Sequence, residues 1–361
     1  MSIIQVAKAA GVSTATVSRV LNDMPGVSDE TVRQVRAAAE ALRYTPLRAR
    51  RGNRPMPKPG GTASRSRPRT GNIAVITLGQ TRDWLRLPIM AAVVTGIQRG
   101  AGEFGLRLML DDVPDPMRPS PLIQGKKIDG AIVFLPGGMP VGTYAPVLEK
   151  VRERIPIVWA MGMEFSAADV DHVTPDNIST GFLAHSYLIS KGCTQLAYLT
   201  ANPEWPFMRL RGQAFLNLAL DANQPASAFI VTSSPTLAES YGRRVVTAAD
   251  LEQLVAALAR SRPRPDGVFI SNDATTASIY PLLARHGLEI GRDLTIVSCD
   301  NEDVRLSALH PRPASIDTGA EEIGFRAVIR LQSRLQRPDD PPLVIQVAPH
   351  LVLPPTADAG H

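Results

Sequence analysis

Cysteine is scarce. The 361 residues contain two, Cys193 and Cys299, far apart and with no second cysteine near either. That excludes a zinc-ligand spacing and a disulfide framework, and leaves two small buried side chains as the reading. No apolar run approaches the ~18 residues that a membrane-spanning helix needs. The amino terminus has no basic flank leading into an apolar block and a small-residue cleavage site, so no secretory signal is expected and a reduced, cytoplasmic setting is. The six histidines are scattered, and no HExxH, GxSxG or GxxxxGKS/T pattern occurs. The run PGGMP at 136–140 reads more simply as a turn than as a phosphate loop. No metal and no cofactor is implied. Acidic residues are missing altogether from Ala41 to Arg82. Residues 1–72 carry 13 Lys and Arg against 4 Asp and Glu, a balance of +9, whereas the whole chain nets only +5. A basic head on a mildly acidic body points to a polyanion gripped at one end.

What is present divides into three segments. Up to about Pro46 the apolar residues recur at helical spacing. Ile3, Val6, Ala7 and Ala10 mark a first helix capped by Ser2 and broken by Gly11. Val17, Val20 and Leu21 mark a second, Thr14 to Asn22, capped by Ser13. Val32, Val35, Ala39 and Leu42 mark a third, capped by Ser28, with Asp29 and Glu30 placed where the helix dipole favours acids. From Leu47 to Gly71 prolines alternate with Gly, Ser and Arg, the composition of a basic linker. From Asn72 onward, short Val- and Ile-rich runs (NIAVITLG, RLMLDDV, DGAIVFL, IPIVWAM, QLAYLT, DGVFIS, DLTIVSCD) alternate with helical stretches (MAAVVTGIQRGAGEFG, STGFLAHSYLISKG, ATTASIYPLLARHG, GFRAVIRLQSRLQ). Such alternation implies parallel sheets flanked by helices. The length suggests two lobes with a ligand cleft between them, at the carboxyl ends of strands.

The segment QVAKAAGVSTATVSRVLN has the parts of a helix-turn-helix. Ala7 is the small residue where two helices cross, and Gly11 tolerates the positive φ of the turn. Val12 and Val17 hold the second helix down. Ser13, Thr14, Ala15, Thr16, Ser18, Arg19 and Asn22 are then left for phosphates and base edges. The run IIQVAKAAGVSTATVSRVLN…VSDETVRQVRAAAEALRYTP resembles the head of the lac repressor (LacI/GalR-type) family of bacterial transcription regulators, tightly over 2–46. The rest resembles that family's core more loosely. The resemblance implies an α/β fold: a three-helix helix-turn-helix head (1–46), a basic Pro/Arg-rich linker (47–71), and a two-lobed periplasmic-binding-protein-like core with parallel sheets (72–355) whose lobe crossover lies near 173–176. It implies a repressor that binds palindromic double-stranded DNA as a homodimer and is controlled allosterically by a small molecule, usually a sugar or nucleobase. Thr14, Ala15 and Arg19 match base-reading positions. Ser13, Thr16, Ser18, Asn22, Ser28, Thr31 and Tyr44 match phosphate-contacting ones.

Two departures stand out. The family's hinge carries an Ala and a minor-groove Leu, where this chain has Arg50 and Asn53. Gly52 and Pro55 weaken and end any helix there, so a looser linker with Arg48, Arg50, Arg51 and Arg54 on phosphates is expected instead. After IPIVWA, Met161 replaces an Asp of many sugar-responsive members, which removes one hydroxyl-binding carboxylate. For the cleft, the resemblance places Arg209 (MRLRGQAF), Asn272 (VFISND) and Asp300 (TIVSCDN) on the effector, with Asp273 capping a helix from Ala274. Trp84, Trp205 and Phe207 are candidates to stack on a ring, with Trp84 the first choice, and Trp159 is expected in the core. DHVTPDNISTG matches the crossover, with Asp176 and Asn177 in its DN pair. The proline-rich stretch before IDGAIV is short enough that one helix should be shrunken. An exported solute-binding protein or an α/β enzyme is the alternative, disfavoured by the helical head and the missing catalytic patterns.

Overall fold

The computed structural model describes residues 3–21, 27–42, 70–78, 85–113, 115, 120–124, 126–134, 149, 151–161, 170–231 and 246–355. The chain forms two compact units that divide between Ser64 and Arg65. The division falls inside the predicted linker, most of which, like Ser2, lies outside the described residues.

The amino-terminal unit holds α1 (Ile3–Ala10), α2 (Thr14–Leu21) and α3 (Asp29–Ala41). Its core is Val6, Ala7, Val17, Val20, Val35 and Ala39, the periodic apolar positions of the sequence. Gly11 takes φ +66°, and the Val12 N–H reaches back to the Ala7 carbonyl at 3.0 Å, closing α1. Ser13 Oγ accepts from Thr16 N at 3.1 Å and Ser28 Oγ from Thr31 N at 3.4 Å, so both expected caps form.

The larger unit contains two six-stranded sheets. The first lobe comprises β1 (Asn72–Leu78), α4 (Pro88–Phe104), β2 (Arg107–Val113), the single turn α5 (Pro121–Gln124), β3 (Gly130–Phe134), β4 (Ile157–Ala160) and β5 (Asp171–Pro175). The second comprises α6 (Asn177–Ser190), β6 (Leu196–Thr200), α7 (Pro206–Asp221), β7 (Ala226–Ile230), α8 (Ala248–Arg260), β8 (Gly267–Ile270), α9 (Asp273–Arg285), β9 (Thr295–Cys299), α10 (Asp303–Leu306) and β10 (Ala314–Asp317). The chain then returns as α11 (Ala320–Gln336) and β11 (Val344–Val347) to the first lobe and ends as β12 (His350–Val352) in the second. It therefore crosses between lobes three times, after β5, after β10 and after β11. The strand orders are β2-β1-β3-β4-β5-β11 and β7-β6-β8-β9-β10-β12, the same winding twice. Among the described residues all strand pairings are parallel except β10 with β12. α5 is the shrunken helix expected from the sequence. The core starts slightly before Asn72: the amides of Thr70 and Gly71 donate to the Asp129 carboxylate at 2.9 and 2.7 Å.

The expected apolar runs form β1 to β4, β6, β8 and β9. β5, β7, β10, β11 and β12 have no such signal. β11 exposes alternate residues and β7 has none buried, and β5 (DHVTP) is polar yet buried. Its burial is explained by charge pairing. Asp171, 2% exposed, accepts from Arg330 Nε at 2.7 Å, Arg334 Nε at 2.9 Å and Leu343 N at 2.8 Å. Burial alone would raise this carboxyl's pKa; the two guanidiniums and the amide hold it below its ordinary value. The group fastens α11 to β5 and to the chain entering β11.

α11 meets α4 through glycines. A Cβ on Gly96 would lie 1.8 Å from the Glu321 carbonyl oxygen, and one on Gly324 2.0 Å from that of Val93. Backbones this close tolerate no side chain. Gly96→Ala should therefore lower stability by about 1–3 kcal/mol or more in urea denaturation. Asp171→Asn, which leaves two inward-facing guanidiniums under-compensated, should cost about 3–5 kcal/mol. A midpoint unchanged in either variant would contradict this packing.

Candidate functional site

The head leaves several of its polar residues on its surface. Val17 and Val20 face the core, while Ser13, Thr14 and Arg19 are exposed and Thr16 half-buried. Ala15 and Ser18 lie on the same helix. Ser28 and Thr31 stand at the start of α3, their hydroxyls 2.9 Å apart. A short-side-chain helix with one arginine can approach a duplex closely enough for base edges to be read. Asn22 and Tyr44 fall outside the described residues.

The second feature is a cavity of about 340 Å³ between the lobes of the larger unit. Thr77 and Phe134 mark the ends of β1 and β3; Ala201 and Asn202 follow β6, and Asn272 follows β8. These are the points where the strand order reverses in each sheet, where open α/β sheets hold ligands. Besides α9, whose Ala274 and Thr275 line it, two helices with matching openings point their first turns at the cavity. α4 opens Leu87-Pro88-Ile89-Met90 and α7 opens Trp205-Pro206-Phe207-Met208, with nearly identical cap torsions of −77°, 122° and −77°, 121°. Leu87, Ile89 and Met90 face it from one lobe, and Trp205, Phe207 and Met208 from the other.

Apart from Thr77, the polar wall belongs to the second lobe. Arg211, 1% exposed, donates from Nε to Asn177 Oδ1 at 2.9 Å and from Nη1 to the Ser271 carbonyl at 2.8 Å. Its Nη2 pairs with Asp300 Oδ1 at 3.1 Å. Here the structure corrects the sequence reading: Arg211, not Arg209, stands at the cleft. The buried face of α7 carries Met208, Arg211, Gly212, Phe215 and Ala219, a 3.6-residue stripe that turns Arg209 outward to solvent. Asp300 is in place, at φ +99°, held by its amide on the Ile316 carbonyl at 2.8 Å. Asn272 lines the cavity, but it also caps α9, its Oδ1 accepting from Thr275 N at 2.7 Å. Asp273 was expected in that role and is instead the first helical residue, fully buried. Asp176 caps α6, and Met161 lines the cavity. Trp159 sits in the core, stacked on His172 at 6.1 Å. Trp84 lies outside the described residues.

A family model described as bacterial regulatory proteins, lacI family, matches residues 2–46. A second, for a periplasmic binding protein-like domain, matches 185–353. The chain belongs to the lacI family. Two full-length relatives agree. The ribose operon repressor of Escherichia coli (strain K12) is 27% identical over 357 residues, covering 96% of this chain and 97% of its own length. The HTH-type transcriptional repressor PurR of Mannheimia succiniciproducens is 25% identical, covering 98% and 97%. Among solved structures, the transcriptional regulator CelR in complex with cellobiose matches with a TM-score of 0.63 at 20% identity, covering 98% of both chains. The lac repressor dimer bound to operator and the anti-inducer ONPF gives 0.60 at 20%, covering 98% and 97%. These structures agree in fold. This lacI-family chain is a DNA-binding regulator with an effector-binding core, and its relatives are regulators rather than enzymes.

The sequence reading missed several groups of this family member's cleft. Thr77, 1% exposed, has no hydrogen-bond partner for its Oγ1 among the described residues and lines the cavity. Glu302 reaches across from the second lobe to accept from Ile89 N at 3.1 Å. The two apolar-Pro-apolar-Met openings were legible as a repeat. Asp273 accepts from Glu302 N at 2.7 Å and Ser315 Oγ at 3.0 Å. Burial, and then the charge of Asp300, push its pKa up to about 7, whereas the unfolded chain has an ordinary value near ~3.9. A raised acid favours folding below the unfolded value and loses that contribution as pH rises through the folded one. Stability should fall between pH ~4 and ~7, by up to about 1.4 kcal/mol per unit for this one group. Asp273→Asn should flatten that slope in denaturation measured across the range; an unaltered slope would show that another group controls it.

Proposed function

We propose that this chain is a cytoplasmic transcriptional repressor that binds a palindromic operator as a homodimer and is switched by a small molecule held between the lobes. The observation that carries the reading is the exposed polar face of α2, on the side away from Val17 and Val20. Thr14, Ala15 and Arg19 read base edges, the arginine by forking onto guanine O6 and N7. Ser13, Thr16, Ser18, Asn22, Ser28, Thr31 and Tyr44 meet phosphates and set the register. Two such heads require two half-sites one DNA turn, or a multiple of it, apart. The effector contacts Asn272, Asp300 and Thr77 with its polar edge, Trp84 and Trp205 with a ring face, and Arg211 holds Asp300 in place. A carbohydrate or derivative is the favoured class, in keeping with the solved regulator that holds cellobiose.

The test is selection of binding sites from random duplexes, followed by titration of wild type and Arg19→Ala on selected and scrambled DNA. The variant should lose about 1–3 kcal/mol of discrimination at one base pair while nonspecific affinity persists. Equal wild-type affinity for selected and scrambled DNA would overturn the reading. Replacing Arg48, Arg50, Arg51 and Arg54 by Ser should make the dependence of log affinity on log salt shallower by about 0.9 for each phosphate left without its arginine.

A further inference from the structure

The amino terminus of a helix is where proteins most readily receive an anion, because its first N–H groups lack partners and the dipole favours negative charge. α4 aims such an end at the cavity. Its cap residue, Leu87, offers no side-chain hydrogen bond, and its first position, Pro88, has no N–H. The next donor, Ile89 N, is given to the Glu302 carboxylate of the opposite lobe. The other oxygen of Glu302 is bound to Arg305 Nε, and its backbone N–H to Asp273. At α4, then, the place an effector phosphate or carboxylate would take is filled by the protein's own carboxylate, whereas the matching end of α7 faces the cavity that Asp300 and Glu302 also line, whose charges oppose an anion there.

The cations of the cleft are equally committed. Among the described residues lining the cavity these are Arg211 and Arg305. Arg211 is bound to Asn177, Ser271 and Asp300, and Arg305 is paired with Glu302. Asp300 and Glu302 both face the space and would repel a further negative charge. What remains for a ligand is neutral or acceptor chemistry. Thr77 Oγ1 is buried and unpartnered among the described residues. Among the described residues Asn272 Nδ2 meets the Met208 sulfur at 3.4 Å, a weak acceptor.

We infer that Glu302 is a specificity-determining residue that makes the cleft select effectors without negative charge: sugars and neutral ring compounds are admitted, and sugar phosphates and carboxylates are refused. The inference rests on the cleft being the effector site. It assigns Glu302, beside Asp300, the larger part in the refusal, because Glu302 also occupies the α4 terminus and bridges the lobes, so a ligand that enters beside it meets the contact that joins them.

The experiment titrates full-length wild type, Glu302→Ala and Glu302→Gln with sodium sulfate at constant ionic strength, by calorimetry and thermal shift. Sulfate taken up by the basic head is common to all three and cancels in the comparison. Both variants should bind sulfate more tightly than wild type, the alanine form by roughly tenfold or more, since a charge-assisted bond to a helix terminus replaces a repulsion. The isosteric glutamine form decides the matter should the alanine form fail to fold. Unchanged sulfate affinity in the variants overturns the inference. So does a wild type that prefers glucose 6-phosphate to glucose, or benzoate to benzyl alcohol. Trp205→Ala keeps the two readings apart. An effector whose affinity ignores that change tells against the cleft as its site, while the sulfate comparison still reports on Glu302.

Discussion

A guanidinium withdrawn from water must find acceptors for the N–H groups it carries inward, and the fold around it is constrained to supply them. Arg211 draws on three parts of the second lobe at once: Asn177 at the first crossover, the carbonyl that ends β8, and the carboxylate that ends β9. The ring of Phe207 lies 5.5 Å from the same guanidinium. One buried charge thereby sets the floor of the cleft and the entrance to the interlobe connection together. It also accounts for the backbone at Asp300 and Asn301, both at positive φ. Such conformations persist where the surroundings over-determine them, and here the Arg211 pair on one side and the amide bond to β10 on the other do so.

Legibility followed burial by apolar residues. The strands that read clearly, such as DGAIVF and DGVFI, are apolar because helices cover both faces of a parallel sheet. β5 escaped notice because its interior is satisfied by a carboxylate and two arginines some 160 positions along the chain, a partnership that no local pattern announces. β7 and β11 escaped because they are edge strands that stay partly wet, β11 on one face and β7 along most of its length. In the head, caps and apolar spacing agree at α2 and α3, and the expected helices form almost unchanged.

The cleft was legible in its strand ends and less so in its helices. Asn272 and Asp300 follow from the rule that ligands sit beyond the carboxyl ends of strands. Arg209 was the wrong member of an Arg-Leu-Arg triplet. Motif spacing favoured it, but the phase of Met208, Gly212, Phe215 and Ala219 selects its neighbour two residues on. The cap fell one residue earlier than expected, on Asn272, which keeps its place at the cavity as well; an amide at the cap leaves the buried Asp273 carboxylate free to bind Glu302 N and Ser315. Thr77 and Glu302 carry no motif; only the folded chain brings them to the same space.

The paired openings Leu-Pro-Ile-Met and Trp-Pro-Phe-Met have a further consequence. Each lobe brings an equivalent jaw, so the work a bound molecule can do on the protein depends on its reach. One long enough to touch both jaws would gain contacts in whichever arrangement brings them nearer, and would favour that arrangement. One that fills a single jaw binds about as well for its size yet favours neither arrangement of the lobes. Affinity and the pull a ligand exerts on the lobes are separable quantities in a cleft built from two such openings, since only differential contact with two arrangements can favour one of them.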